Sequence, residues 1–252
     1  MNDRQQKILS ALIEEYTRSG LPVGSQCIVE RYLPEVSPAT IRNDMGILED
    51  EGYLYQPHIS SGRIPTDKGY RHFVENMMKN KELSRQEQFH LQKEILQLRA
   101  KNVRMARTTA KLLASFSGNI GLSGVIEKEE FYECGLRRLL EEEHDHDELC
   151  RLAEALDYID EKIDTLLLEM KNGDTRIYIG DENPIQEISG YSMVISPYET
   201  SDGERGIVAV IGPKRMQYEK NKSLVEYVRK LLTRTPILIV GIYSGSSFLI
   251  IS

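Results

Sequence analysis

Thr40, Arg42 and Asn43 lie close together just after the pair Ser37 and Pro38, and all three side chains can hydrogen-bond to nucleic acid. Arginine offers a planar fork of donors that matches guanine O6 and N7, asparagine matches the adenine edge, and serine and threonine hydroxyls suit phosphates or bases. A second group follows at His58, Ser60, Ser61 and Arg63, short or cationic enough to meet a phosphate backbone or a minor groove. Lys68 and Arg71 add two further cations for phosphate contacts. The plainer alternative is that Arg42 pairs with Asp44 or Glu49 on a solvated face and that the second group is only a loop.

The elements that must carry these residues can be read from the local pattern. Ser37 is a good N-cap and Pro38 suits a first helical turn, so a helix is predicted to begin there. Ile41, Met45 and Leu48 recur on one face of it, which leaves Thr40, Arg42 and Asn43 looking outward. The N–H groups of its first turn add a phosphate site. Gly52 is the expected left-handed stop, Tyr53 to Tyr55 read as a short strand, Pro57 to Gly62 as a turn, and Arg63 to Pro65 as the return. A helix followed by a short hairpin is the recognition helix and wing of a winged helix-turn-helix. Upstream, Asn2 or Asp3 caps a helix with Ile8, Leu9, Leu12, Ile13 and Tyr16 on one stripe, and Gly20 ends it. Ser25 is expected to cap a second, shorter helix.

With 252 residues, 40% hydrophobic and 28% charged, the chain is expected to be a soluble globular protein made of a small domain and a larger one. Its three cysteines, Cys27, Cys134 and Cys150, are dispersed, which fits a reduced, cytoplasmic protein better than a disulfide scaffold. The N-terminus does not resemble a signal peptide, and the apolar run from Pro236 to Ile251 is interrupted by Ser244 to Ser247, too short on either side to span a bilayer. No membrane association is expected. A net charge of −7 argues against broad, charge-driven affinity for nucleic acid. Within the first eighty residues Asp and Glu slightly outnumber Arg and Lys, so any DNA binding there must rest on local placement, with the acids on the far side.

Further along, Thr66 opens a helix through Tyr70, Phe73, Val74 and Met77. Leu91, Ile95, Leu98, Asn102, Met105, Thr109, Leu112 and Phe116 then alternate at heptad spacing. Two readings stay open: a seam that pairs two chains, or amphipathic helix packed on its own domain. Ser115 to Gly124 reads as a small-residue turn, and Phe131 to Leu140 and Leu149 to Met170 as helices. Between the last two lies EEEHDHDELC, Glu141 to Cys150, read as an acidic exposed loop because its His and Cys spacing matches no closed zinc pattern. Strands are predicted at Arg176 to Ile179, Tyr191 to Pro197 and Gly206 to Ile211, followed by a helix from Tyr218 to Leu232. Gly212 to Arg215 can form an anion site, although a turn leading into that helix is the simpler reading. No phosphate-binding glycine fingerprint, nucleophile motif or metal-ligand spacing is present, so no catalytic residue, metal or cofactor is expected and the chain is not read as an enzyme.

The runs GLPVGS (Gly20 to Ser25), VSPATIRNDM (Val36 to Met45), LEDEGYL (Leu48 to Leu54) and QPHISSGRIPTDKGYRHFV (Gln56 to Val74) resemble HrcA, the bacterial repressor family of heat-shock chaperonin operons. YIGDENPI (Tyr178 to Ile185) and GIVAVIGPKRMQYEK (Gly206 to Lys220) are similar to the later part of its GAF-like domain. The resemblance implies a sequence-specific transcriptional repressor whose winged helix binds an inverted-repeat operator, CIRCE, as a homodimer. It also implies a GroE-type chaperonin that keeps the repressor competent to bind. Ser37, Thr40, Arg42, Asn43, His58, Ser60, Ser61, Arg63, Lys68 and Arg71 are the expected DNA contacts.

The expected architecture is α+β: a winged-helix domain over residues 1–80, a helical linker or dimerisation helix over 81–117, and a reduced GAF-like α/β domain over 118–252. Family members are typically longer, with an inserted dimerisation domain. Between Gly118 and Gly173 the sequence pattern shows helices and no convincing strands, so the first strands of the sheet are expected to be absent or much reduced. The apolar tail is then expected to form a hairpin that completes the sheet. A competing reading of function is a shortened protein-interaction or ligand-sensing module that no longer binds operator.

Overall fold

The computed structural model describes residues 1–101, 105–142, 146–157, 159–168, 170 and 174–233. The chain begins with three helices, α1 (Asp3–Ser19), α2 (Ser25–Arg31) and α3 (Pro38–Asp50), then a hairpin of β1 (Leu54–Tyr55) and β2 (Ile64–Pro65), and α4 (Asp67–Asn76). Asn2 caps α1 in a capping box with Gln5, and Ser37 caps α3 with Pro38 in its first turn. At α2 the cap is Gly24, without a side-chain hydrogen bond, and the expected cap Ser25 is instead the first helical residue, buried with 8% exposure. Ile8, Leu9, Leu12, Ile28, Ile41, Met45, Leu48 and Leu54 are fully buried and join the three helices and the hairpin. The hairpin register pairs Leu54 with Pro65 and Tyr55 with Ile64.

Two helices follow, α5 (Arg85–Lys101) and α6 (Met105–Ser117), then β3 (Ile120–Val125), β4 (Glu130–Cys134), α7 (Leu136–Glu142), α8 (His146–Asp157), α9 (Ile159–Leu168), β5 (Arg176–Ile179), β6 (Tyr191–Glu199), β7 (Arg205–Pro213) and α10 (Tyr218–Thr233). The sheet has five strands in the order β4-β3-β7-β6-β5, with antiparallel neighbours throughout. Along β6 and β7 alternate residues serve the two faces. Val194, Tyr198, Val208 and Val210 join one core with α6 and α10, whereas Met193, Ile195, Ile207, Ala209 and Ile211 join another with α8 and α9. A sheet covered by helices on both faces explains why β6 and β7 read as continuous apolar runs rather than alternating ones.

The stretch expected to lack strands therefore supplies two, β3 and β4, where a turn and the start of a helix were predicted. The misreading has a physical cause. Two of the small residues of β3 answer to close neighbours: a side chain on Gly121 would collide with the carbonyl oxygen of Ala110 in α6, and one on Gly124 with the Phe131 ring in β4. Glycine inside a strand often marks such close backbone approach, and in sequence it looks like a turn. The helix predicted from Phe131 to Leu140 is found over Leu136–Glu142, and that predicted from Leu149 falls on α8 and α9; the stretch read as an acidic loop is helical at both ends, to Glu142 and again from His146.

The heptad positions do not share one straight helix. His90 in α5 stacks edge-on against Phe116 in α6 with ring centroids 5.4 Å apart. On a single helix these residues would stand about 39 Å apart. Leu91, Ile95, Thr109 and Leu112 are buried within this chain. The seam position Asn102 and residues 143–145 of the acidic loop lie outside the described residues, as does the tail hairpin expected over 236–252.

The winged helix is bound to the sheet through α4. Arg71 donates to the carboxylate of Glu182 and, through Nη2, to the Ile177 carbonyl at 2.7 Å. Lys214 Nζ meets Asp67 Oδ2 at 2.9 Å, and Tyr70 packs on Tyr218 with ring centroids 5.8 Å apart.

Candidate nucleic-acid interface

On α3 the core-facing positions Ile41, Met45 and Leu48 leave Arg42 and Asn43 exposed. Neither has a hydrogen-bond or ion-pair partner among the described residues. At the start of the helix, the Ser37 hydroxyl accepts from the Thr40 N–H at 3.1 Å and lies 2.9 Å from the Thr40 hydroxyl. Both are thus committed to shaping the first turn while Ser37 remains exposed.

The acidic residues that lower the net charge of this domain are partly withdrawn into ion pairs. Asp44, 3% exposed, is held by Arg4 Nε at 2.6 Å. Glu15, 5% exposed, is gripped by Arg18 and Arg31 and accepts from the Tyr32 hydroxyl. Burial, with Glu14 and Glu15 beside it, pushes the Tyr32 phenol up to about 12, so it stays a donor at neutral pH. Expecting the acids simply on the far side of the domain missed this: Asp44 lies on α3 itself, turned inward onto Arg4.

The wing tip is tied by its own side chains. Gln56 Nε2 donates to the carbonyls of Ile59 and Ser61 at 3.1 and 2.7 Å. The Ser61 hydroxyl accepts from the His58 N–H and donates to the His58 carbonyl. These bonds leave His58, Ile59 and Ser60 exposed, with Ile59 wholly so at 100%. Arg63 turns inward: its backbone pairs with Val23 and its Nε donates to Glu49 on α3 at 2.8 Å.

A cleft gathers Gln26, Arg42, Gln56, Ile59, Ser60 and Arg63 at one place between α2, α3 and the wing. Of the ten expected contacts, the cleft therefore collects Arg42, Ser60, Ser61 and Arg63, with Asn43 beside Arg42 on the helix and His58 beside the tip. Lys68 lies elsewhere, donating to the Glu51 carbonyl at the C-terminal end of α3 and covering the Tyr53 ring at 4.5 Å. Arg71 lies at the junction with the sheet. Gln26, Gln56 and Ile59 were missed from sequence. The available signal for Ile59 was an apolar residue in an otherwise polar turn, whereas Gln26 is brought in only by the crossing of α2 and α3.

The C-terminal domain family of HrcA proteins matches residues 64–221. The chain belongs to the HrcA family. The heat-inducible transcription repressor HrcA of Thermomicrobium roseum is 27% identical over 329 aligned positions, covering 92% of this chain and 94% of that protein. An alignment longer than the 252 residues here means that the relative carries segments this HrcA-family chain lacks. The namesake from Kineococcus radiotolerans is 57% identical over 83 residues, 33% of this chain and 24% of that one. A crystal structure of a hypothetical protein shares the fold, with a TM-score of 0.68 at 22% identity over 92% of this chain and 96% of the other. These relatives are named as repressors and not as enzymes. Among the described residues no helix is long and apolar enough to cross a membrane.

Proposed function

We propose that the chain is a sequence-specific DNA-binding repressor of heat-shock chaperone operons that recognises an inverted-repeat, CIRCE-type operator as a homodimer. The observation that carries this reading is the pair Arg42 and Asn43, exposed on α3 and without a partner among the described residues, with a braced wing tip across the same cleft. Arg42 and Asn43 read base edges in the major groove, and Ser37 and Thr40 present the helix start to a phosphate. His58 and Ser60 meet the backbone or minor groove, with Ile59 available as an apolar wedge. Ser61 and Arg63 hold the wing in place, and Arg71 holds the domain to the sheet. Two half-sites require two copies of α3 at a fixed spacing, hence the dimer. The proposal extends the partners to a GroE-type chaperonin.

Titration of a labelled inverted-repeat operator against a scrambled duplex at moderate salt tests the reading. Preference for the operator, lost in Asn43→Ala, supports it, and equal affinity for the two duplexes sinks it. Adding chaperonin is expected to raise the operator-active fraction; an unchanged fraction and half-life removes the chaperonin from the partners.

A further inference from the structure

The loop before α10 carries Lys214 and Arg215 to the end of α1 and the start of α4. The cleft formed there is separate from the one between α3 and the wing tip, and Tyr55, Lys68, Tyr70, Lys214 and Arg215 line it. Lys214 is occupied by Asp67. Arg215 is not: its guanidinium is half-buried, with Nε 3.8 Å from where a side chain on Gly20 would begin, and it has no hydrogen-bond or ion-pair partner among the described residues. Tyr70 is 2% exposed, and its hydroxyl is buried without a hydrogen-bond partner among the described residues. Burial foremost, then the neighbouring Tyr218, pushes this phenol well up, so it is a donor lacking an acceptor. Buried polar groups are nearly always satisfied, and one left open beside an unpaired guanidinium in a cleft points to an acceptor from outside the chain. Lys68 spends one proton on the Glu51 carbonyl and has two more to donate. Tyr55 in the same cleft is 46% exposed and offers a flat ring.

We propose that this cleft is a nucleotide-binding site, in which Arg215, Lys68 and the Tyr70 hydroxyl hold the phosphates and the Tyr55 ring stacks on the base. Guanidinium and ammonium groups are suited to phosphate oxygens, and an exposed tyrosine face accepts any base. The site joins residues from both halves of the chain, so occupancy stabilises the docked arrangement of winged helix and sheet. It depends on nothing in the operator reading, and it turns the run GPKR from a plain turn into part of a binding surface.

Isothermal titration of the full chain with ATP, GTP, inorganic pyrophosphate and adenosine tests the proposal. Binding of ATP or GTP is expected, weaker for pyrophosphate and weakest for adenosine. Arg215→Ala is expected to weaken nucleotide binding by about ten-fold or more. Tyr70→Phe keeps the ring packing and removes only the hydroxyl, so its several-fold loss reports the site even if Arg215→Ala proves unstable. No binding of either nucleotide at millimolar concentration overturns the proposal, as does equal binding by wild type and both variants or adenosine binding as tightly as ATP. If nucleotides fail to bind while Arg215→Ala lowers DNA affinity and reduces its salt slope by about one, the arginine serves a DNA backbone instead.

Discussion

Arg63 and Glu49 join the wing to α3, with Nε to Oε2 at 2.8 Å and only 15% of the arginine side chain exposed. Arg63 therefore acts on DNA through Glu49 if it acts as a positioning residue. Glu49→Ala and Arg63→Ala are then expected to weaken operator binding to a similar degree, and the double variant to be little worse than either. A direct phosphate contact by Arg63 predicts otherwise: Arg63→Ala alone would flatten the salt dependence by about one charge, and Glu49→Ala would not weaken binding. Fluorescence anisotropy across a salt series distinguishes the two.

Among the described residues Arg42 has no intramolecular partner to lose. Arg42→Ala is expected to leave the melting temperature within about 0.5 kcal/mol equivalent of wild type, as for other exposed substitutions. The same change is expected to cost about 1–3 kcal/mol against the operator. Its affinity for scrambled duplex should change far less. An equal loss on both duplexes would mean a phosphate contact rather than base readout.

The docking of the winged helix on the sheet depends on Arg71 and on a glycine. Gly180 has φ +58, and a side chain there would run into the Asp67 carboxylate and the Lys214 ammonium. Gly180→Ala is expected to destabilise both by backbone strain and by pushing the Asp67 carboxylate and the Lys214 ammonium out of their pair. Arg71→Ala removes the donor from the Ile177 carbonyl, whereas Glu182 is partly exposed and keeps the Ile179 N–H, so the expected cost is about 1 kcal/mol. Differential scanning calorimetry reads both, and a wild-type melting profile in either variant would show that the junction adds nothing to stability.

Acid is expected to loosen the sheet domain. Arg205 holds Glu127, and Lys162 holds Glu187, below the ordinary carboxylate value of 4.5. A carboxylate with a lowered folded pKa contributes stability above its unfolded value and loses it as pH falls through the folded one. Stability should thus be steady above about pH 5 and decline below 4.5. Both pairs are partly solvent-exposed, so the effect is small and screened by salt. In chemical denaturation across pH, Glu127→Gln is expected to make the acid limb shallower; an unchanged limb would remove this pair as a contributor.

Much of the winged helix was legible because its signals are local. Ser37 and Pro38 start α3, Gly52 follows it with φ +78, and the outward placement of Arg42 and Asn43 follows from the period of the apolar face. β5, β6, β7 and α10 were legible for the same reason. β3 was not, because Gly121 answers to a helix lying on it and Gly124 to the Phe131 ring of the neighbouring strand, which no pattern within β3 records. The spacing of Leu91 to Phe116 likewise could not say whether the apolar positions meet another chain or fold back on this one.

What the sequence alone determined is which side chains are available: a capped helix carrying Thr40, Arg42 and Asn43, a polar hairpin after it, and a family likeness from Val36 to Val74. Only the tertiary structure decided which of the cations are free to act. Arg63 is spent on Glu49, Arg71 on Glu182 and Lys214 on Asp67, whereas Arg42 and Arg215 have no such partner among the described residues. The reason is that a charge finds its partner across space: Arg71 and Glu182 are 111 positions apart in the chain, and local spacing carries no information about such a pair.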